Sequence, residues 1–343
     1  MKYCIYLKKK VPEVSFSSEE HIFPAGIGGI QKLPMEYVSH ECNNAFSAME
    51  LSFMRNSLIA LPRQFYGPGK RGNLNPKNAT KSKVSLIDGE SNPNEIKFGY
   101  ISLGKPYLIS QIKVNIKGNY HFLSDTSLGD EVKQVSGFLK KLGKYNGKHT
   151  LYQDERLTQD EFILGVHDGK WYLALNHKQH EPQIKNFIMN SLENTLENQT
   201  ARKGTEQVKV FQTIEFDETF YRVCAKIIFN YLAFVKGQDF VLKECFNPIR
   251  HWIVNGGENN FVTLSGQKIN MPISYPEKAH KLFIIQDRNS LRGLISFYGD
   301  HFETLINLCD DFDGVLGLDG FICDWQNRQE LRLIDYISNY TSH

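Results

Sequence analysis

One stretch, residues 18–55, limits what this chain can fold into more than any other. It reads Ser18-Glu19-Glu20-His21-Ile22-Phe23-Pro24-Ala25-Gly26-Ile27-Gly28-Gly29 and, further on, His40-Glu41-Cys42-Asn43-Asn44-Ala45-Phe46. Pro24 and the glycines at 26, 28 and 29 break any regular element there. From Cys42 onward, Phe46, Met49, Phe53 and Met54 recur at three- and four-residue spacing, which predicts an amphipathic helix from about residue 41 to residue 58. Asn43 and Asn44 fall in its first turn. A short extended run, a loop and a helix start can bring Glu20, His21 and Asn43 together. A neutral imidazole accepts a proton near physiological pH, and a carboxylate and an amide oxygen are hard donors suited to Mg²⁺ or Mn²⁺. Asn at a helix start also serves as a plain cap.

The series Glu20-His21-x-x-Pro24, then Gly28-Gly29, then Cys42-Asn43-Asn44 resembles the HNH endonuclease family over roughly the first 70 residues. The resemblance implies a ββα-metal core, a β-hairpin followed by a helix that together cradle one divalent ion. It implies that His21 is the general base, that Glu20 and Asn43 hold Mg²⁺ or Mn²⁺, and that Asn44 helps in orientation. The ion would stabilise charge on the phosphate and on the leaving 3′ oxygen. Many relatives also carry two Cys pairs on a structural zinc. Here Cys4-Ile5-Tyr6-Leu7 and Ser39-His40-Glu41-Cys42 each keep one Cys. Two thiolates do not make the four-ligand cage, so no structural zinc is expected. The middle Asn that orients the histidine in many relatives has no match between Gly29 and Val38, which leaves that job to a backbone carbonyl. Glu50 shares the helix face of Asn43 and is either an outer group of the site or a solvated carboxylate.

Charge patterning adds a partner. The net charge of the 343 residues is +2, so a nucleic-acid surface must come from local clustering. Residues 55–87 supply it, with Arg55, Arg63, Lys70, Arg71, Lys77, Lys81 and Lys83 and no Asp or Glu. Phe65 and Tyr66 stand beside these cations, the mixture that nucleic-acid grooves use; the alternative is a solvated linker. Arg63, Lys70, Arg71 and Lys77 are the expected phosphate contacts. The six cysteines show no paired spacing, which fits a reduced, cytoplasmic setting. No apolar run approaches the ~20 residues of a membrane span, so no membrane is expected.

The rest of the chain predicts an α+β fold, with mixed antiparallel sheets and helices after the first core. A strand is expected over 2–8, then strands over 84–87, 96–103, 108–116 and 120–123, where apolar and polar residues alternate. Helices are expected over 131–142 and 181–196, strands over 171–175 and 208–216, and a polar link over 197–204. Residues 217–255 are strongly helical, 282–286 and 293–298 suggest a closing hairpin, 304–308 another strand, and 331–337 strand or helix. Three segments follow: a nuclease core with its basic arm over 1–75, a mixed region over 76–215, and a helical hairpin with closing strands over 216–343. No phosphate-binding Gly-Lys-Ser/Thr loop appears, which argues against a nucleotide-driven motor. The function the HNH resemblance implies is metal-dependent hydrolysis of DNA phosphodiester bonds, and such a core joined to a large α+β region resembles bacterial defence nucleases, which implies invading DNA as substrate and other defence subunits as partners. Two alternatives stay open: an HNH-type module that binds nucleic acid without cutting it, and a partner-activated nuclease acting on RNA.

Overall fold

The computed structural model describes residues 3–89, 95–116, 119–125, 127–192, 208–210, 217–265 and 274–341. The chain packs into two compact units, Met1–Thr80 with Ile214–His343, and Lys81–Thr213. The segments 1–75 and 216–343 thus lie in one unit, and 76–215 corresponds largely to the other. The expected link over 197–204 lies outside the described residues.

In the first part of the first unit, residues 3–8 form a turn where a strand was expected. Lys8 N donates to Cys4 O at 2.8 Å, and Cys4 N to Lys9 O at 2.7 Å. Cys4, Ile5 and Tyr6 are buried in succession, and the Lys8 N and Cys4 N bonds close the segment on itself. Residues 20–22 then run antiparallel to 31–33. His21 bridges Lys32, Ile22 N donates to Gln31 O at 3.0 Å, and Leu33 N to Glu20 O at 2.8 Å. The loop between them needs Gly28, which has φ +103°; a Cβ there would lie 2.3 Å from Trp325 Cβ. Helix α1, His40–Asn56, begins where the Ser39 hydroxyl accepts from Cys42 N, and it buries Cys42, Phe46 and Phe53. Helix α2, Ala60–Tyr66, stops at Gly67.

Among the described residues the second unit holds two sheets. Strands β1 (Ser85–Gly89), β2 (Ile96–Ser102), β3 (Lys105–Leu108), β4 (Ser110–Asn115) and β5 (Asn119–Leu123) come first, followed by α3 (Glu131–Leu142). Next are β6 (Thr150–Gln153), β7 (Glu161–His167), β8 (Lys170–Leu175), α4 (Glu181–Phe187) and β9 (Val208–Val210). One sheet has the order β3-β2-β1-β9 and the other β5-β4-β7-β8-β6. Buried Gln111 joins them, accepting from Phe98 N at 2.6 Å and donating to Phe98 O at 2.8 Å. The helix expected over 181–196 continues past α4 only as a π turn to Leu192, and residues 193–196 are not described.

The first unit resumes with α5 (Glu218–Lys236), α6 (Gln238–Val241) and α7 (Asn247–Asn255). Strands β10 (Val262–Leu264), β11 (His280–Asp287), β12 (Ser290–Phe297), β13 (His301–Cys309), β14 (Asp319–Asp324) and β15 (Gln329–Arg332) follow, then α8 (Leu333–Thr341). The six strands form one antiparallel sheet in the order β10-β13-β12-β11-β14-β15. Helix α5 is buried at every residue from Val223 to Ala233, as expected of a helix enclosed on all sides. Phe53 of α1 stacks on Phe220 of α5 at 5.7 Å and meets Phe297 of β12 at 5.6 Å, so α1, α5 and the sheet share one core. The molecule is α+β. No helix among the described residues is long and apolar enough to cross a membrane.

Candidate functional site

The segment carrying Glu20 and His21 lies along α1, held rung by rung. His40 N donates to Ser15 O at 2.8 Å, and Ser15 Oγ to Glu41 Oε1 at 3.1 Å. Ser17 Oγ lies 2.7 Å from His40 Nδ1, and Asn43 Nδ2 donates to Ser18 Oγ at 2.9 Å. In an extended run neighbouring side chains point to opposite faces. Glu20 is accordingly buried and His21 is half-buried.

Glu20 meets α5. Its Oε1 contacts the Lys226 ammonium, and Oε1 of Glu50, from α1, contacts the same ammonium. Lys226 is 0 % exposed. Removing an ammonium from water costs on the order of several kcal/mol, which only close anionic partners offset. Burial depresses the Lys226 pKa, but the charges of Glu20 and Glu50 outweigh it and hold the group above its ordinary value, hence charged. Burial and the Glu50 charge push the Glu20 carboxyl up against the pull of Lys226. One turn along α5, Asn230 Nδ2 donates to His21 O at 2.9 Å, and Asn230 Oδ1 accepts from the Tyr6 hydroxyl at 2.6 Å. The Tyr6 ring sits edge-on to Phe46 at 4.6 Å. Helix α5 therefore grips the Glu20 side chain and the His21 backbone together. Burial, reinforced by the Lys32 charge, lowers the His21 pKa and keeps the imidazole neutral.

The two amides expected beside His21 go elsewhere. Asn43 serves Ser18, and Asn44 Nδ2 lies 2.9 Å from His40 Nε2. No hydrogen bond among the described residues links either to His21. The Cys4 and Cys42 sulfurs come within 3.9 Å, and Ser39 N donates to Cys4 Sγ at 3.4 Å. The Cys42 thiol lowers the Cys4 pKa to about 5. Leu7 and the helix-capping Ser39 stand at the positions where a second pair of thiols would be.

The basic arm divides. Arg63 is a correction to the expected phosphate contacts. It is 7 % exposed, and Nε donates to Gly26 O at 2.8 Å and Nη2 to Gly69 O at 3.4 Å. Its guanidinium is consumed in joining the arm to the turn after His21. Lys70, Arg71 and Lys77 are exposed. Lys70 and Arg71 line a cavity of about 730 Å³ with Asn73, Asn75, Asn78 and Arg328; Lys77 lies outside it. Arg328 donates to Gly72 O at 3.0 Å, and a Cβ at Gly72 would fall 2.8 Å from Ala25 O. The arm is thus packed on the loop that follows His21.

No known protein family, curated protein or solved structure matches this chain. The site rests on its own geometry.

The divalent ion implied by the HNH resemblance does not fit that geometry. The ion would need Glu20, yet Glu20 and Glu50 converge on the Lys226 ammonium. No group of three or more His, Cys, Asp or Glu side chains able to hold a metal ion occurs among the described residues. Sequence reasoning missed Lys226, Asn230 and Arg328. The first two had a readable signal. Between Val223 and Val235, Lys226 and Asn230 break an otherwise apolar run at i, i+4 spacing, so both fall on one face. Arg328 lies in the turn between β14 and β15, with nothing in its sequence to tie it to the arm.

Proposed function

We propose that this chain binds nucleic acid along its basic arm and hydrolyses phosphodiester bonds with His21 as the general base of an HNH-like motif whose Glu20 pairs with Lys226 rather than with a divalent ion. The observation that carries the reading is the hairpin-then-helix arrangement. Residues 20–22 pair with 31–33, and the segment that bears Glu20 and His21 lies along α1, whose first turn carries Asn43. The arm lined with Lys70 and Arg71 packs on the loop immediately after. In this reading neutral His21 accepts a proton from the attacking water. Asn230 fixes the backbone that carries His21, and the exposed cations of the arm hold the phosphates. DNA is the proposed substrate, and defence against invading DNA, together with other subunits, is the proposed setting.

A second reading has its own observation. The Lys226 ammonium between Glu20 and Glu50 favours a module that binds nucleic acid without cutting it. Plasmid DNA and a single-stranded RNA, each incubated with wild type and with His21→Ala, separate the two. Nicked or linear DNA from the wild type alone supports the hydrolase. Equal cutting by both proteins removes His21 as the base. Retention of DNA without cleavage supports the binding module.

A further inference from the structure

We propose that Lys226 is a built-in cation of this site: its ammonium holds the place between Glu20 and Glu50 that a divalent ion would otherwise occupy, so the native chain does not load one there. The inference rests on the reading of Glu20-His21 as the site, and it departs from the metal dependence that the sequence resemblance implies.

Three observations carry it. First, two carboxylates from different elements, the hairpin and α1, reach one nitrogen from a third, α5. Convergence of oxygen donors on a single point is how proteins hold a hard cation, and here the point is filled by a side chain of the same chain. Secondly, that side chain has no open path outward. Lys226 is 0 % exposed on a helix buried from Val223 to Ala233. The Phe46 ring lies 5.5 Å from Nζ, and the adjoining Tyr6 hydroxyl is tied to Asn230. Thirdly, the other ligand that the resemblance implies, Asn43, is held at Ser18, its Nδ2 donating to Oγ at 2.9 Å, and no hydrogen bond among the described residues joins it to Glu20 or Glu50. A divalent ion brought against Glu20 would meet an ammonium at contact distance. Like charges that close repel strongly where little water screens them.

The arrangement makes an inverse prediction. Removing the ammonium leaves a buried carboxylate, Glu20, facing a half-buried one, Glu50, a pair that either takes up a proton or recruits a cation. The test is a titration of full-length protein with Mn²⁺, read by electron paramagnetic resonance of the free ion and by thermal unfolding. Wild type should show no saturable Mn²⁺ site. Lys226→Met should gain one site per chain, tighter by roughly tenfold or more than any binding by wild type, with a rise in Tm on adding Mn²⁺. Lys226→Met combined with Glu50→Gln should lose that gain. A wild-type site of one Mn²⁺ that Glu20→Gln abolishes would overturn the proposal, as would a folded Lys226→Met that gains no Mn²⁺. The wild-type titration needs no variant, so the test stands even where Lys226→Met does not fold. The outcome is separable from the hydrolase reading. Saturable Mn²⁺ binding together with His21-dependent cleavage would remove the built-in cation and keep the nuclease. No Mn²⁺ site and no cleavage would do the reverse.

Discussion

At the scale of single residues, the groups that hold the site are titratable ones whose state is fixed by burial. His280 is 0 % exposed; its Nε2 lies 3.0 Å from Ile27 O, and its Nδ1 accepts from Tyr298 N at 3.1 Å. A neutral ring with its proton on Nε2 satisfies both partners, and burial pushes its pKa down from 6.5 to about 3. As pH falls below about 6.5, the unfolded chain takes up a proton that the folded chain refuses. Stability should therefore drop with acidification by up to about 1.4 kcal/mol per pH unit until about pH 3. Urea unfolding at several pH values should show this one-proton dependence, and His280→Gln should lack it; matching slopes would exclude His280 as the source. Arg63 makes a related case. Its carbonyl partners are buried at Gly69 and half-buried at Gly26, so Arg63→Ala should cost roughly 1–3 kcal/mol of stability. If Arg63→Ala instead weakens nucleic-acid binding at unchanged stability, Arg63 belongs to the interface after all.

At the scale of elements, in the proposed reading exposed cations from the arm and from the turn between β14 and β15 hold the nucleic acid together. Arg71 has φ +53° and Arg328 has φ +57°, and both line the same cavity. Arg71→Ala and Arg328→Ala should each weaken binding evenly across sequences and lower the slope of log affinity against log salt by about one. An unchanged slope for Arg328→Ala would detach the turn between β14 and β15 from the interface. Elements with one dry face were legible in the sequence. Helix α1 spans His40–Asn56 against an expectation of 41–58, and α3 spans Glu131–Leu142 as expected, while their caps, Ser39 and Asp130, are seen only in the structure. The β11–β12 hairpin was legible too, from two apolar runs separated by turn residues. Strands β7 and β14 were not. Phe162–Val166 and Gly320–Asp324 are buried without alternation, and a run covered on both faces has no period that separates strand from buried helix. Lys226 and Asn230 were legible only as polar breaks in α5. What they touch, Glu20 and His21, depends on packing between distant segments, and spacing within one segment carries no record of that.

At the scale of the whole molecule, the first unit is built from two stretches of chain, and the site is shared between them. Glu20 needs Lys226, the His21 carbonyl needs Asn230, Ile27 needs His280, and the Gly67 carbonyl accepts from Tyr298 at 2.9 Å. Residues 1–80 expressed alone should thus lack a cooperative unfolding transition by circular dichroism. A sharp transition from that fragment would show that the hairpin and α1 stand without α5. The same division gives the site a place in time. Asn230 and the His21 carbonyl it holds are 209 residues apart. At ~5–20 residues per second of synthesis, roughly 10–40 s pass between their emergence from the ribosome. For that interval a nascent chain carries the histidine but not the helix that seats it. Chains cut short before α5 carry the motif without an assembled site, so in the proposed reading the cell meets a working nuclease only once α5 has been translated.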